Sequence, residues 1–292
     1  MAPEPPPPPP TAAPSSWRHA QVETTIKLST TGGCVWGAAE AAIAFFERHW
    51  DTVVVGAEQD GGGEGDAATR RRSLRVLELG AGCGKLGLTI ALNCRPAVSV
   101  LLTEQPDGLE HLERNVRLND PSGDLDARAV ACDWGDFVVA AAEAEQDAAD
   151  DDEALLWRSC ARVAPPSHKL PVADVIVGSD LIYLLEGAHA LPRTLSALLR
   201  RAEEARRKRT GDGADAAASP SPVAYYSHTR HRFDALDLEL EQQCAACGLD
   251  MVELDQESGK EVGGGRGGSP PPFTELFPEH RVAIYRIRLM TS

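Results

Sequence analysis

Nowhere does this sequence approach the roughly 20 consecutive apolar residues that a membrane-spanning helix needs, so no helical span is expected. Basic charge is scarce too: 29 Lys and Arg stand against 44 Asp and Glu, a formal net charge of −15. Phosphate neutralisation takes clustered Lys and Arg, which argues against a nucleic acid or an anionic membrane as partner and leaves a basic protein as the better fit. The N-terminus shows no basic stretch followed by an apolar core, so secretion is not indicated. Seven cysteines, an odd number in an ordinary composition, indicate reduced thiols in a cytoplasmic or nuclear protein rather than a disulfide framework. Cys244 and Cys247 form a lone CxxC without a second ligand pair; they read as helix packing, and no metal site is expected.

What is present divides into one folded domain and its appendages. Residues 1–16 are proline-rich, uninterrupted from Pro5 to Pro10, and are predicted to be a disordered tail. Residues 17–292 form a single domain with insertions near 56–72, 140–168, 206–221 and 256–272. Much of the acid excess is local, with Glu143, Glu145, Asp147, Asp150, Asp151, Asp152 and Glu153 following one another without an intervening base, as in a solvated loop. Gln21 to Thr30 alternates like a strand, and Ala38 to Trp50 has a helical pattern. From Leu74 onward, apolar strands at 75–79, 98–103, 127–131, 173–177 and 222–226 alternate with helices at 85–94, 108–118, 187–201 and 233–247. Continuous apolar strands separated by helices specify a doubly wound, mostly parallel sheet covered on both faces. Two late strands, 251–254 and 281–289, lack a convincing helix between them and predict an antiparallel pair at the sheet edge.

The stretch Val76-Leu77-Glu78-Leu79-Gly80-Ala81-Gly82-Cys83-Gly84 is a strand, a tight turn and a helix start. Glycines there allow positive φ and let the backbone lie against a ligand, while the N–H groups of the helix start face it. In such a sheet the ligand sits beyond the carboxyl ends of the strands. Each strand end carries a polar group: Glu78, Glu104, Asp133-Trp134 and Ser179-Asp180. Glu104 is placed to accept from two ribose hydroxyls, Asp133 from an adenine amine, and Trp134 to offer a stacking face.

Gly82 to Gly87 also satisfies the dinucleotide pattern G-x-G-x-x-G, with Glu104 at a fitting distance. However, Glu78 precedes the glycines, where it would repel a pyrophosphate and attract an ammonium group. An adenosine end and a cationic amino-acid end suit both acids, which describes S-adenosylmethionine.

With Val35-Trp36 upstream, Asp133-Trp134-Gly135 downstream and Asp180-Leu181-Ile182-Tyr183 after the fourth strand, the stretch Glu78 to Leu88 resembles the methyltransferase-like "family 16" seven-β-strand protein-lysine methyltransferases. The resemblance spans about Gly32 to Arg288. It implies a Rossmann-like class I methyltransferase fold, a seven-stranded sheet, and an S-adenosyl-L-methionine-dependent enzyme acting as a monomer on the lysine of a chaperone or translation-type protein. It places Trp36, Glu78, Gly80, Gly82, Gly84, Glu104, Asp133, Trp134 and Ser179 on the cofactor, with Asp180 and Tyr183 at the substrate mouth as the catalytic pair. Read without the resemblance, Asp180 would simply cap the next helix. Relatives carry a glutamate two residues before an arginine after the fifth strand, where this chain has Ser227-His228-Thr229-Arg230-His231. Tyr226, His228 and His231 either gate the substrate or are surface loop residues, and the departure keeps a catalytically silent binding module as the alternative.

Overall fold

The strand that ends in Glu78-Leu79 is the hinge of the architecture. The structure, a computed structural model, describes residues 16–28, 31–55, 74–94, 98–134, 170–210, 220–230, 235–262 and 281–290. Seven strands, β1 (Leu74–Leu79), β2 (Val98–Glu104), β3 (Ala127–Ala131), β4 (Val175–Ser179), β5 (Val223–Arg230), β6 (Leu249–Leu254) and β7 (Arg281–Leu289), form one sheet in the order β3-β2-β1-β4-β5-β7-β6. β1 pairs in parallel with β2 on one side and β4 on the other, so the order reverses there and opens a crevice at their carboxyl ends. β7 runs antiparallel between β5 and β6, giving the expected antiparallel pair at that end of the sheet.

Helices α1 (Gly37–His49), α2 (Lys85–Asn93), α3 (Leu109–Asn119), α4 (Leu185–Thr210) and α5 (Ala235–Ala246) cover both faces. The two-residue period of β1 divides its side chains between two cores. Val76 joins Phe45, Phe46, Leu86, Ile90 and Leu112 on the side of α1, α2 and α3. Leu77 and Leu79 join Leu191, Leu195, Leu199 and Tyr226 on the side of α4 and α5. Cys244 is buried within that second cluster, so the first cysteine of the CxxC packs as expected. No described helix is long and apolar enough to cross a membrane.

Two predictions are corrected. Residues 21–28 do not form a strand. They lie extended across α2 and α3, and asparagine side chains replace the missing ladder. Asn119 Nδ2 donates to the Gln21 carbonyl at 2.6 Å while its Oδ1 accepts the Gln21 N–H at 2.9 Å. Asn115 does the same for Glu23 at 3.1 and 2.8 Å, and Asn93 for Arg18 at 2.8 and 2.7 Å. A primary amide has the donor and acceptor of a peptide group. Four residues of helix rise about 6 Å and two extended residues span about 6.7 Å, so Asn115 and Asn119 match alternate residues of the strap. Alternation therefore signalled an extended segment correctly, but its partner is a helix face.

Second, α4 continues past the predicted end at Arg201 to Thr210, into the insertion placed at 206–221. Glu203 bonds Arg206 at 2.8 Å and Arg207 at 2.9 Å, the i, i+3 and i, i+4 pairs that support a helix. The predicted tail up to residue 15 and the insertions near 56–72 and 140–168 lie outside the described residues, as do Gly135 and His231.

Candidate functional site

At the reversal point lies a pocket of ≈ 350 Å³, within the range of about 300–1,000 Å³ common for ligand sites. Its wall brings together Trp36, Glu78, Gly80, Gly82, Glu104, Asp133, Trp134, Ser179, Asp180 and Tyr183. Of the residues predicted from sequence, Gly84 is not at the wall; it takes a left-handed φ of 79° as the residue leading into α2. Gly80 and Gly82 have φ of 54° and 55°, conformations that side chains with a Cβ resist. Space is also closed to a side chain: a Cβ on Gly80 would come 2.7 Å from Leu181 Cδ2, and one on Gly82 would come 3.0 Å from the Gly32 carbonyl oxygen.

The turn is locked to β2. Ala81 donates its N–H to the Thr103 carbonyl at 2.7 Å, and the Thr103 hydroxyl donates to the Glu78 carbonyl at 2.8 Å. Glu104 Oε2 accepts the Gly82 N–H at 2.6 Å and Oε1 accepts the Gln105 N–H at 3.0 Å. Each carboxylate oxygen can accept twice, so one site per oxygen is left for a ligand. Burial pushes the Glu104 carboxyl up. Glu78 is more deeply buried; its Oε2 accepts the Gly87 N–H at 3.0 Å, and desolvation pushes its carboxyl up to about 8. Both buried acids are thus short of positive charge.

That shortage extends around the pocket. Glu78, Glu104, Asp133, Asp180 and Glu186 line it against a single described cation, Lys85. Lys85 Nζ is engaged outward, donating to the Ala20 carbonyl at 2.9 Å and pairing with Glu40 at 3.8 Å.

The opposite wall is the turn Asp180-Leu181-Ile182-Tyr183. Asp180 has φ of 46°, and among the described residues no other non-glycine has positive φ. Its carboxylate does not cap α4, which starts at Leu185. Oδ1 accepts the Thr229 N–H at 2.7 Å and Oδ2 the Thr229 hydroxyl at 2.9 Å, while the Asp180 N–H goes to the Ser227 carbonyl at 2.9 Å. The rim beside it is apolar and exposed: Tyr183 by 52%, Leu184 by 58% and Leu185 by 51%, facing Trp36 at 47%.

Tyr226 and His228 are neither gates nor surface residues; each is 2% exposed and neither lines this pocket, and Ser227 between them is as deeply buried. Asp237 on α5 bonds His228 at 2.5 Å and Arg230 at 3.0 Å, which accounts for a buried histidine at this position. Sequence reasoning also missed Gly32, Cys34, Cys83 and Cys132 as wall residues. Gly32 and Cys34 arrive from the N-terminal segment and leave no local signal of that approach.

A family model described as Methyltransf_16, lysine methyltransferase, matches residues 20–150. A curated UPF0665 family protein of Schizosaccharomyces pombe is 28% identical over 120 residues, 41% of this chain and 36% of that protein, so the match spans little more than a third of the relative's length. Among solved structures, precorrin-6y C5,15-methyltransferase from Geobacter metallireducens GS-15 is similar with a TM-score of 0.39 and 12% identity over 91% of each chain. Aeropyrum pernix fibrillarin in complex with natively bound S-adenosyl-L-methionine has a TM-score of 0.39 and 10% identity over 74% of this chain and 66% of that one. The strand order described above, rather than these superpositions, defines the fold. Asp180 and Tyr183 lie beyond the matched segment, but the glycine turn, Glu78, Glu104 and Trp134 all lie within it, and it is through residues 20–150 that the chain is matched to the Methyltransf_16 lysine methyltransferases, the family its motifs resemble.

Proposed function

We propose that this protein is an S-adenosylmethionine-dependent methyltransferase that modifies a protein side chain, the ε-amine of a lysine, with chaperones and translation-type proteins as the first candidates. The observation that carries this reading is the charge of the pocket. Five carboxylic residues surround a glycine turn, and the one described lysine is bonded away from it. A pyrophosphate would find no free cation there to neutralise it, whereas a sulfonium with an ammonium group, and then a lysine, are cations that favour the ionised form of the buried carboxyls. The match to a lysine methyltransferase family model supports the same reading.

When bound, S-adenosylmethionine supplies an electrophilic methyl group on sulfur. Glu78 is the partner for an ammonium at the β1 end of the pocket, and Glu104 keeps two acceptor sites for ribose hydroxyls. Asp133 and Trp134 suit an adenine edge and face, and Ser179 sits where the two walls meet. The acceptor is an in-line nucleophile and must be held neutral about 3 Å from the reacting carbon. Lysine arrives protonated, with an ordinary pKa near 10.4. Asp180, already fixed by Thr229, offers its remaining lone pairs to that ammonium, which releases one proton to bulk water to become the neutral nucleophile, while Tyr183 forms one side of the channel.

The test is incubation of the protein with isotopically labelled S-adenosylmethionine and a cell lysate, followed by mapping of the modified residue by mass spectrometry. Label on lysine is the expected outcome. Binding of S-adenosylhomocysteine with no labelled protein would favour the silent module, and absence of both would end the reading.

A further inference from the structure

Behind the acceptor turn, on the α4 and α5 side of the sheet, β5 carries a line of buried polar groups that the reaction itself does not use. Tyr226 and His228 stand two residues apart on one face, stacked with ring centroids 5.4 Å apart. His228 Nδ1 lies 2.9 Å from the Tyr226 hydroxyl and Nε2 lies 2.5 Å from Asp237 Oδ1. Asp237 Oδ2 accepts from Arg230 Nε at 3.0 Å, and Arg230 reaches Glu241 and Glu253 at 3.7 and 3.5 Å. At its inner end the Tyr226 hydroxyl oxygen accepts the N–H of Leu181 at 3.2 Å.

The carboxylate end orders the line. An ionised Asp237 can only accept, so His228 Nε2 carries a proton and donates it to Asp237. In the neutral imidazole Nδ1 is then the acceptor, and the Tyr226 hydroxyl donates its hydrogen to it while its oxygen accepts from the backbone. Burial alone would raise the Asp237 carboxyl, but the bonds from His228 and Arg230 outweigh it and hold it below its ordinary range. Burial keeps the Tyr226 phenol protonated. The line runs in one direction, from the turn through hydroxyl and imidazole to a carboxylate clamped by a guanidinium.

The turn needs such support. Asp180 is held in a left-handed conformation that a side chain with a Cβ disfavours, and such strain persists only where the surroundings over-determine it. Ser227 and Thr229 hold Asp180 itself; Tyr226 holds Leu181, the residue that follows. We propose that the Tyr226–His228–Asp237 line is a positioning device for the acceptor turn, in which His228 orients the Tyr226 hydroxyl so that Asp180 and Tyr183 stay in register with the methyl donor. The proposal rests on the methyltransferase reading above.

The test uses the full chain with Tyr226→Phe, which removes one oxygen and keeps the ring. Hydrogen exchange in the 180–184 segment should rise about tenfold, the size of one lost hydrogen bond. Turnover should fall by a similar factor, with the affinity for S-adenosylhomocysteine unchanged. His228→Ala should do likewise, and His228→Gln, which retains both a donor and an acceptor, should recover part of the loss. Combining Tyr226→Phe with His228→Ala should add nothing to Tyr226→Phe alone, because both cut the same line. Unchanged exchange in Tyr226→Phe, or raised exchange with unchanged turnover, overturns the proposal. If the unsubstituted protein labels no lysate protein, the methyltransferase reading falls instead, a result that the exchange measurement does not share.

Discussion

The two walls of the pocket are built by opposite means. The β1–β2 wall is a backbone structure: glycines in left-handed conformations, amides bonded to Thr103 and Glu104, and no room for a side chain at Gly80 or Gly82. Its polar groups are buried, and little of it can move independently. The acceptor wall is a side-chain structure. A strained aspartate is held by Thr229, and the Leu181 amide after it is held by a tyrosine hydroxyl, beside a rim of exposed leucines. A donor molecule of fixed chemistry suits the first construction. The second suits the protein substrate proposed above, since an exposed apolar rim is surface that a partner can cover.

That contrast can be broken by substitution. Glu104→Ala should be the most damaging change, because it removes the carboxylate placed to hold the ligand and leaves the Gly82 amide without its acceptor. Donor affinity should drop by at least about a hundredfold, roughly 3 kcal/mol for a charged hydrogen-bonding group, read by calorimetry with S-adenosylhomocysteine. Asp180→Ala should lower turnover by about a hundredfold, the scale of a mispositioned reactant, while leaving that affinity within about twofold. Full activity in this variant would remove Asp180 from the site. If instead both variants lost affinity equally, the two walls would not be separable.

A smaller effect is expected outside the pocket. Asn115→Ala leaves backbone groups of Glu23 and Cys83 without their partner and should cost about 1–3 kcal/mol of stability, measured by denaturant unfolding. The gentlest probe is pH. The Glu78 carboxyl is raised from 4.5 to about 8 in the folded protein, so between these values the folded state holds a proton that the unfolded chain has released. Stability contributed by this group is complete below the lower value and declines as pH rises, by at most about 1.4 kcal/mol per unit. Thermal melts of Glu78→Gln should show a flatter slope across this window. An ammonium bound at Glu78 favours the ionised form, so affinity for the donor product should rise with pH up to about 8.

The backbone-built wall was legible in the sequence because its information is local. Three glycines at alternate positions after an apolar run specify a turn, and an acid at each strand end specifies what the turn faces. The doubly wound, mostly parallel sheet followed from the alternation of strands and helices. The acceptor wall was legible only as a motif. Nothing near Asp180 indicates that Thr229 donates two hydrogen bonds to it, and nothing near His228 indicates that Asp237 lies opposite, so the polar run on β5 read equally as a gate or as a surface loop. In the N-terminal segment the two-residue period was real, but a period does not reveal whether an extended chain pairs with a strand or with a row of amides. Gly32 against Gly82 is a contact between two residues without side chains, for which composition offers no clue.

The asparagine-bound strap has a consequence for the order in which the protein is made. Arg18, Gln21 and Glu23 are synthesised early, but their partners Asn93, Asn119 and Asn115 follow 75, 98 and 92 residues later. On a ribosome the first segment must wait, unpaired, until α2 and α3 have emerged and packed. Because the same segment brings Gly32 over Gly82 and Glu104, the pocket closes only after that delayed docking. A nascent chain could therefore hold its glycine turn correctly and still be unable to retain its ligand until this earlier-made segment finds its place.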